Sequence, residues 1–472
     1  MDRPQKDISF EIINQIIEFY MNPALSSGFD NAMFKEGNSE EKVLPRLERA
    51  VKNEIDNGLL HSRYAIWAAS VNDLIENASG SIKNQDPEEA LRKLKIAANA
   101  IKAYRDIQIV FDNENFYKKS EVFRAYASHL LNIDDSNSEV IEKEEIVRRL
   151  KIYSNNLGVG LPRDIDFSIK NGVLRVFIYN ATQNMQVDSA AFEGWILVLK
   201  TWLSGEIKYV ELDFVIPEGL SGQYGNSTVC HYNRFLYRLN NMLRLFPNWF
   251  FLHESKIAII NNFMNWLWSS NCLLNHSLRE RESVIGTDKM ERQIESWFVF
   301  EEGKDLLCKH WDINKDKLFN QLPIGVFYGE IVAKNAIFTR GASAIDIWGI
   351  GNDGLTLHLF ELKCGDNKGV GVISEMLFYA AVIYDACIAK EALFSFGKYR
   401  NALDTKDMTA INNGGNKFDR LHAHILAEKY HPLFSVEVEA LIRDGVSNLS
   451  IHFDKAIYDY SKKVLIDESN NL

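Results

Sequence analysis

Across residues 1–150 the apolar positions recur at helical spacing: Ile12, Ile13, Ile16, Ile17 and Tyr20, then Leu91, Leu94, Ala97, Ala98, Ile101 and Tyr104. That is the period of a helix with one buried face. The second run has a legible start, with Asp86 as N-cap and Pro87 and Glu89 in the first turn. Helical hairpins follow one another without a fixed repeat, so the pattern predicts a helical assembly or regulatory domain over 1–155 and not a solenoid. The acidic "DDSNSEVIEKEE" (134–145) reads as a solvated connector running into a helix.

From about residue 156 the period shortens to two. Asn171-Gly172 separates two alternating runs in "DFSIKNGVLRVFIYNA", a hairpin signal. A helix over 189–203, a strand "IKYVELDFVI", a helix "NRFLYRLNNMLRLF" and a strand "WFFLHESKIAII" are predicted next, giving a mixed α/β accessory domain over 156–285. The polar "NHSLRERESVIGTD" (275–288) reads as a linker into a third domain, 286–472. There "KMERQIESWFVF" places Met290, Ile294, Trp297 and Phe298 on one helical stripe. The stretch "AIDIWGIGNDGLTLHLFELKCGD" (344–366) is two apolar strands around a tight turn. The helix "VISEMLFYAAVIYDACIA", a strand "ALFSFG", a helix "KFDRLHAHILAEKY" and the closing strands "LFSVEVEALI" and "LSIHFDKAIY" complete the expected order.

Composition narrows the class. A chain of 472 residues exceeds a single core, so two or three domains are expected. The formal net charge of −11 means that any contact with nucleic acid needs a local basic surface or a partner. Arg234, Arg238 and Arg244, interleaved with Tyr232, Phe235, Tyr237 and Phe246, are the candidates for a basic, stacking-capable face. The alternative is an amphipathic helix with a solvated arginine edge. Five scattered cysteines without a C-x-x-C pair argue against a disulfide framework and a structural zinc site. No signal peptide and no run of eighteen apolar residues is read, so a cytoplasmic protein without a membrane span is expected. No phosphate-binding G-x-x-x-x-G-K-[ST] loop appears.

The apolar hairpin carries three charges, Asp346, Glu361 and Lys363. Glu361 and Lys363 are two apart and project from one face, and pairing across the turn can bring Asp346 beside them. Converging carboxylates repel unless a cation sits between them. Mg²⁺ suits such a site, with the backbone carbonyl of Leu362 as a further ligand. The cation eases deprotonation of a water and neutralises a phosphate under attack, while Lys363 holds the water and stabilises developing charge.

Asp346, a turn, then Glu361-Leu362-Lys363 on an apolar strand followed by a helix resembles the PD-(D/E)xK nuclease superfamily over roughly 290–395. The resemblance implies a restriction-endonuclease-like α/β core, a mixed sheet flanked by helices. It also implies a glutamate from the preceding helix, matched by Glu291 with Glu295 as its neighbour and competitor. On the following helix, Glu375 stands where the family often has Gln, with Tyr379 one turn on. Ile345 stands where the family has proline. Lys368, in the Gly-rich "CGDNKGVG", is a candidate phosphate contact or a plain loop lysine.

Glu-x-Lys alone is weak evidence, since it occurs five times, starting at Glu40, Glu206, Glu254, Glu302 and Glu361. Glu254-Ser255-Lys256 with Asp213 is the serious decoy, but a whole helix separates the two and no glutamate-bearing helix precedes them. His422 and His424, with His431 nearby, fall on a predicted helix where residues two apart face away from each other, so they read as solvated. "GNDG" is too short for a calcium loop and reads as a turn. The resulting expectation is a multidomain Mg²⁺-dependent endonuclease, with Mn²⁺ able to substitute, acting on DNA. Such architecture is of the kind seen in prokaryotic restriction or antiviral defence, with a protein partner or homo-oligomer expected. An RNA-directed nuclease and a non-catalytic binding subunit on the same scaffold are the alternatives.

Overall fold

A computed structural model describes residues 139–466 apart from 156–157, 185–189, 221, 276–289, 339–342, 366–368, 398–409 and 412–417, together with His129. The predicted N-terminal helices up to 138, almost all of the linker and Lys368 therefore lie outside the described residues. The described elements fall within one compact unit, Glu139–Phe246 with Phe250–Leu472, so the expected boundary near 285 lies inside it. Two α/β layers make up this unit.

The first layer begins with helix α1 (Lys143–Tyr153), which buries Ile146 and Leu150, and strands β1 (Ile165–Lys170) and β2 (Val173–Ile178). The predicted hairpin is present: Asn171 and Gly172 both adopt positive φ, 54° and 77°, as a tight turn matching the strand twist requires. Helix α2 (Phe192–Trp202), strand β3 (Tyr209–Phe214), helix α3 (Cys230–Leu245), strand β4 (Phe250–Leu252) and helix α4 (Glu254–Ser269) follow. The sheet order is β1-β2-β3-β4, antiparallel at the hairpin and parallel beyond it. The predicted strand "WFFLHESKIAII" is corrected: only its first apolar residues pair, and His253 caps the helix that takes the rest.

The second layer opens with helices α5 (Met290–Phe300) and α6 (Gly303–Trp311). A small sheet pairs β5 (Cys272–Leu274) with β7 (Val326–Tyr328) and β10 (Ser395–Phe396). The large sheet holds β6 (Ile313–Pro323), β8 (Ala344–Gly351), β9 (Thr356–Lys363), β11 (Arg420–Ala427), β12 (Ile451–Asp459) and β13 (Val464–Ile466). Its order is β13-β12-β11-β9-β8-β6, with β9, β11 and β12 parallel and the outer pairs antiparallel. Helix α7 (Gly371–Ile383) follows β9, and α8 (Val436–Ser447) joins β11 to β12. The α7 segment through Ile388 is apolar and long enough to cross a membrane by composition, but 78% of it is buried inside the unit. Its apolarity is that of a core helix.

Two expected elements change type. "KFDRLHAHILAEKY" contains strand β11, not a helix, and "LFSVEVEALI" contributes to helix α8, not a strand. In the first, Leu421, Ala423 and Ile425 alternate with His422 and His424, a period of two that suits a strand flanked by two others. In the second, Ser435 accepts from the Val438 amide and caps the helix.

The two layers close on each other through α2 and α3 against α7 and α8. Gly194 on α2 lets the backbones touch: a Cβ there would meet the Val370 carbonyl oxygen at 2.6 Å, and its N–H donates to Ser374 Oγ at 3.2 Å. Tyr237 donates to Asp385 at 2.6 Å, and Arg244 clamps the same carboxylate with two nitrogens, each at 2.8 Å. All five cysteines are free thiols, four of them buried.

Candidate functional site

Strands β8 and β9 pair from Ile350–Leu357 down to Ile347–Phe360. The next rung carries Asp346 and Glu361. Directly opposed residues of an antiparallel pair share a face, so both carboxylates stand on the side covered by α7. The rung itself is made by a side chain, for Asp346 Oδ2 accepts the Leu362 amide at 2.8 Å. Lys363, two residues past Glu361 and on the same face, reaches Glu361 Oε1 and Glu375 Oε2, each at 2.8 Å. Asp346, Glu361 and Glu375 are 9%, 4% and 7% exposed. The structure brings together five residues singled out in the sequence: Asp346, Glu361, Lys363, Glu375 and Tyr379 belong to one cluster.

The electrostatics follow from three buried carboxylates around one ammonium. Burial pushes Asp346 up to about 7; Lys363 and the Leu362 amide oppose this, and Glu291 and Glu295 add to it. Burial and the neighbouring Asp346 push Glu361 well above the usual carboxylate range. Burial disfavours the charged form of Lys363, but Glu361, Glu375 and Asp346 outweigh it and hold the ammonium firmly protonated. Tyr379 is raised by burial and then by Glu361 and Glu375, so its hydroxyl keeps its proton.

One atom stands out. Glu361 Oε2 is buried and, among the described residues, has no hydrogen-bond partner. A buried carboxylate oxygen without a donor is costly, and this one lies among surplus negative charge. The donor set of Asp346, Glu361 and the Leu362 carbonyl is oxygen-only, as a hard divalent cation such as Mg²⁺ requires. The residues fit the ion that the motif implies.

The upstream helix α5 supplies both expected glutamates, in different states. Glu291 is exposed in the first turn. Glu295 is 5% exposed and accepts from Gln321 Nε2 at 2.9 Å. Gln321 lies between Asn320 and Leu322, which pair with Ile347 and Ile345, so it sits level with Asp346. It holds a left-handed φ of 56°, which a non-glycine residue adopts at a cost. Nothing in the local sequence flagged Gln321.

The arginine face expected on α3 is corrected. Arg234 and Arg238 are each 3% exposed. Arg238 forms a two-pronged ion pair with Glu193 of α2, donates to the Ala190 carbonyl at 2.7 Å, and stacks on Phe192. Arg244 is committed to Asp385. Arg234 meets Asn184 Oδ1 at 3.2 Å and His231 Nδ1 at 3.0 Å, and burial with Arg238 beside it lowers its pKa to about 10. The helix is buried on nearly every side because it lies between layers, Asn233, Asn240 and Asn241 included, so its cations face protein. A solvated edge is ruled out on the same grounds. The decoy pair Lys256 and Asp213 is a plain ion pair at 3.2 Å.

The histidines are also corrected. On strand β11, residues two apart share a face, so His422 and His424 point the same way and meet His358 of β9, paired with His422 in register. Burial, then the neighbouring rings, lowers His358 to about 2 and His422 to about 4. They are not solvated surface groups.

Compared with protein-family models, curated proteins and solved structures, the chain matches none.

Proposed function

We propose that this chain is a divalent-metal-dependent nuclease of the PD-(D/E)xK type that hydrolyses DNA phosphodiester bonds. The observation that carries the reading is the orphaned Glu361 Oε2 inside the Asp346–Glu361–Lys363 cluster. The order of elements supports it: a glutamate-bearing helix, three antiparallel strands, a helix and a strand parallel to the third. That order supports, as part of this proposal, the restriction-endonuclease-like arrangement that the motif implies.

Asp346 and Glu361, with the Leu362 carbonyl, would hold magnesium, for which manganese substitutes. When bound, the ion supplies positive charge against the phosphate and a lowered pKa for water. Lys363 stays protonated, so it acts as donor and charge toward the attacking water and the developing phosphorane, not as base. Glu291, exposed at the start of α5 and acting electrostatically on Asp346, would be the carboxylate that takes a proton. The Leu362 amide fixes Asp346, so that this ligand does not reorganise during reaction.

A second reading, a non-catalytic binding subunit, is favoured by the depth of the cluster and by Lys363 being held in two ion pairs. Supercoiled plasmid incubated with purified protein separates them. Cutting with Mg²⁺ or Mn²⁺, absent with EDTA and absent from Glu361→Gln, is the expected result. Plasmid left intact under every metal, while still bound, favours the scaffold. RNA offered beside DNA decides the polymer. Defence against foreign DNA and a cytoplasmic location belong to this proposal by analogy with the architecture alone.

A further inference from the structure

The opposite face of the large sheet holds a second constellation that phosphodiester chemistry does not use. His358, His422 and His424 place one ring nitrogen each so that all three lie within 4.8 Å of one another. The closest pair, His358 Nδ1 and His424 Nε2, is 3.0 Å apart. His358 and His424 are 2% and 0% exposed. Asp454 on β12, paired in register with His424, bonds the other nitrogen of that ring, Nδ1, and its second oxygen accepts from Trp311 Nε1 at 3.1 Å.

We propose that His358, His422 and His424 form a zinc-class metal site that pins β9 to β11, with Asp454 orienting His424. Three converging imidazoles with no carboxylate in the inner set select zinc and its neighbours over magnesium. Tetrahedral zinc with bonds of about 2.0–2.1 Å sets its nitrogens roughly 3.3 Å apart. The rings already bracket that separation, and a movement of about 1.5 Å at most closes it. The carboxylate on Nδ1 fixes the tautomer of His424 and leaves Nε2 as a lone pair aimed at the other two rings. Phe360 stacks on His424 at 4.4 Å and Trp311 lies tilted against it at 4.7 Å between ring centroids, which keeps the ring from turning away. The half-exposed His452 ring lies 4.9 Å from His422 at the edge of the group.

This site shares no ligand with the carboxylate cluster. His358 precedes Glu361 by three residues, roughly 10 Å along a strand, and an odd spacing puts the two side chains on opposite faces. The zinc-class ion therefore braces the strand that carries Glu361 and Lys363 from behind.

The test uses the full chain, stripped with chelator and titrated with Zn²⁺ or, for its spectrum, Co²⁺. One equivalent should bind, with the intense visible absorption of tetrahedral cobalt and a rise in melting temperature. His358→Gln and the more exposed His422→Asn should each lose the absorption and the thermal shift. Asp454→Asn should keep the stoichiometry and weaken binding by about 10–100-fold. Glu361→Gln should leave the spectrum intact. No binding by a folded wild-type chain overturns the proposal and leaves Asp454–His424–His358 as a hydrogen-bond relay. So does binding that survives in both histidine variants, or that disappears in Glu361→Gln. Because no cutting is measured, failure here does not touch the nuclease reading.

Discussion

Glu375 on α7 holds the ammonium of Lys363 at 2.8 Å, sharing it with Glu361 across the gap between helix and strand. Its negative charge serves the resting site, where one cation faces three carboxylates. Glu375→Gln keeps a hydrogen-bonding group and removes one surplus charge. Cutting by Glu375→Gln is expected to stay within about tenfold of wild type, whereas Glu361→Gln abolishes it. Plasmid nicking rates at fixed Mg²⁺ measure this; a Glu375→Gln protein as inert as Glu361→Gln would make Glu375 a ligand or base in its own right.

Stability separates the members of the cluster in the opposite sense. Lys363→Ala strands Glu361 and Glu375 in a buried site, a loss of about 3–5 kcal/mol for breaking a buried pair. Asp346→Asn and Glu361→Gln instead relieve repulsion, so without metal they are expected to melt at or above the wild-type temperature. Mg²⁺ or Mn²⁺ should raise the melting temperature of wild type and leave that of Glu361→Gln unchanged. Calorimetry with and without EDTA reads both effects. An identical metal-induced shift in Glu361→Gln would place the ion elsewhere.

The buried ion pair between Arg238 and Glu193 gives a third expectation. Truncating Arg238 leaves a carboxylate at 3% side-chain exposure without its partner, which costs about 3–5 kcal/mol. It should not change the dependence of DNA affinity on salt, because no phosphate reaches that guanidinium. Denaturant melts of Arg238→Ala and Arg238→Met/Glu193→Leu check the first point, with the double substitution recovering much of the loss. Filter binding across a salt series checks the second: for Arg238→Ala, a slope lowered by about one would restore a phosphate contact.

The strands that carry the carboxylate cluster were legible because their signals are local. A turn with the right residues, an alternating run and three charges two or fifteen positions apart are all read within 344–366. Glu-x-Lys at 361 stood out from its four competitors only through the elements around it. What was not legible depends on the third dimension. The arginines of α3 carry the same letters whether they face water or Glu193 and Asp385, and nothing in the helix names partners 45 and 141 residues away. The histidines were lost through one wrong period: on a helix His422 and His424 diverge, on a strand they converge, and His358 enters only through sheet pairing. Helix and strand in β11 and α8 were exchanged because a short apolar segment fits either period, and the winner is decided by neighbouring strands and by a serine cap.

The two glutamates of α5 can be told apart by the same logic. Glu295 is buried and tied to Gln321, whose left-handed backbone is level with Asp346; its work is to hold the edge strand in register. Glu291, one turn earlier, is exposed and still acts on Asp346 electrostatically. Glu291→Gln is therefore expected to slow cutting by about 10²–10⁴-fold, the range for a lost general base, with an unchanged melt. Glu295→Gln should lower the melting temperature, since the charged acceptor of a buried hydrogen bond becomes a neutral one, and Gln321→Ala should lower it as well, since it removes the donor. Combining the last two should cost little more than either alone, because they act on the same contact. The measurement is a pair of profiles, nicking rate and melting temperature, for the three single variants and the double. Normal cutting by Glu291→Gln beside an inert but folded Glu295→Gln would exchange the two roles and make the buried glutamate the catalytic one.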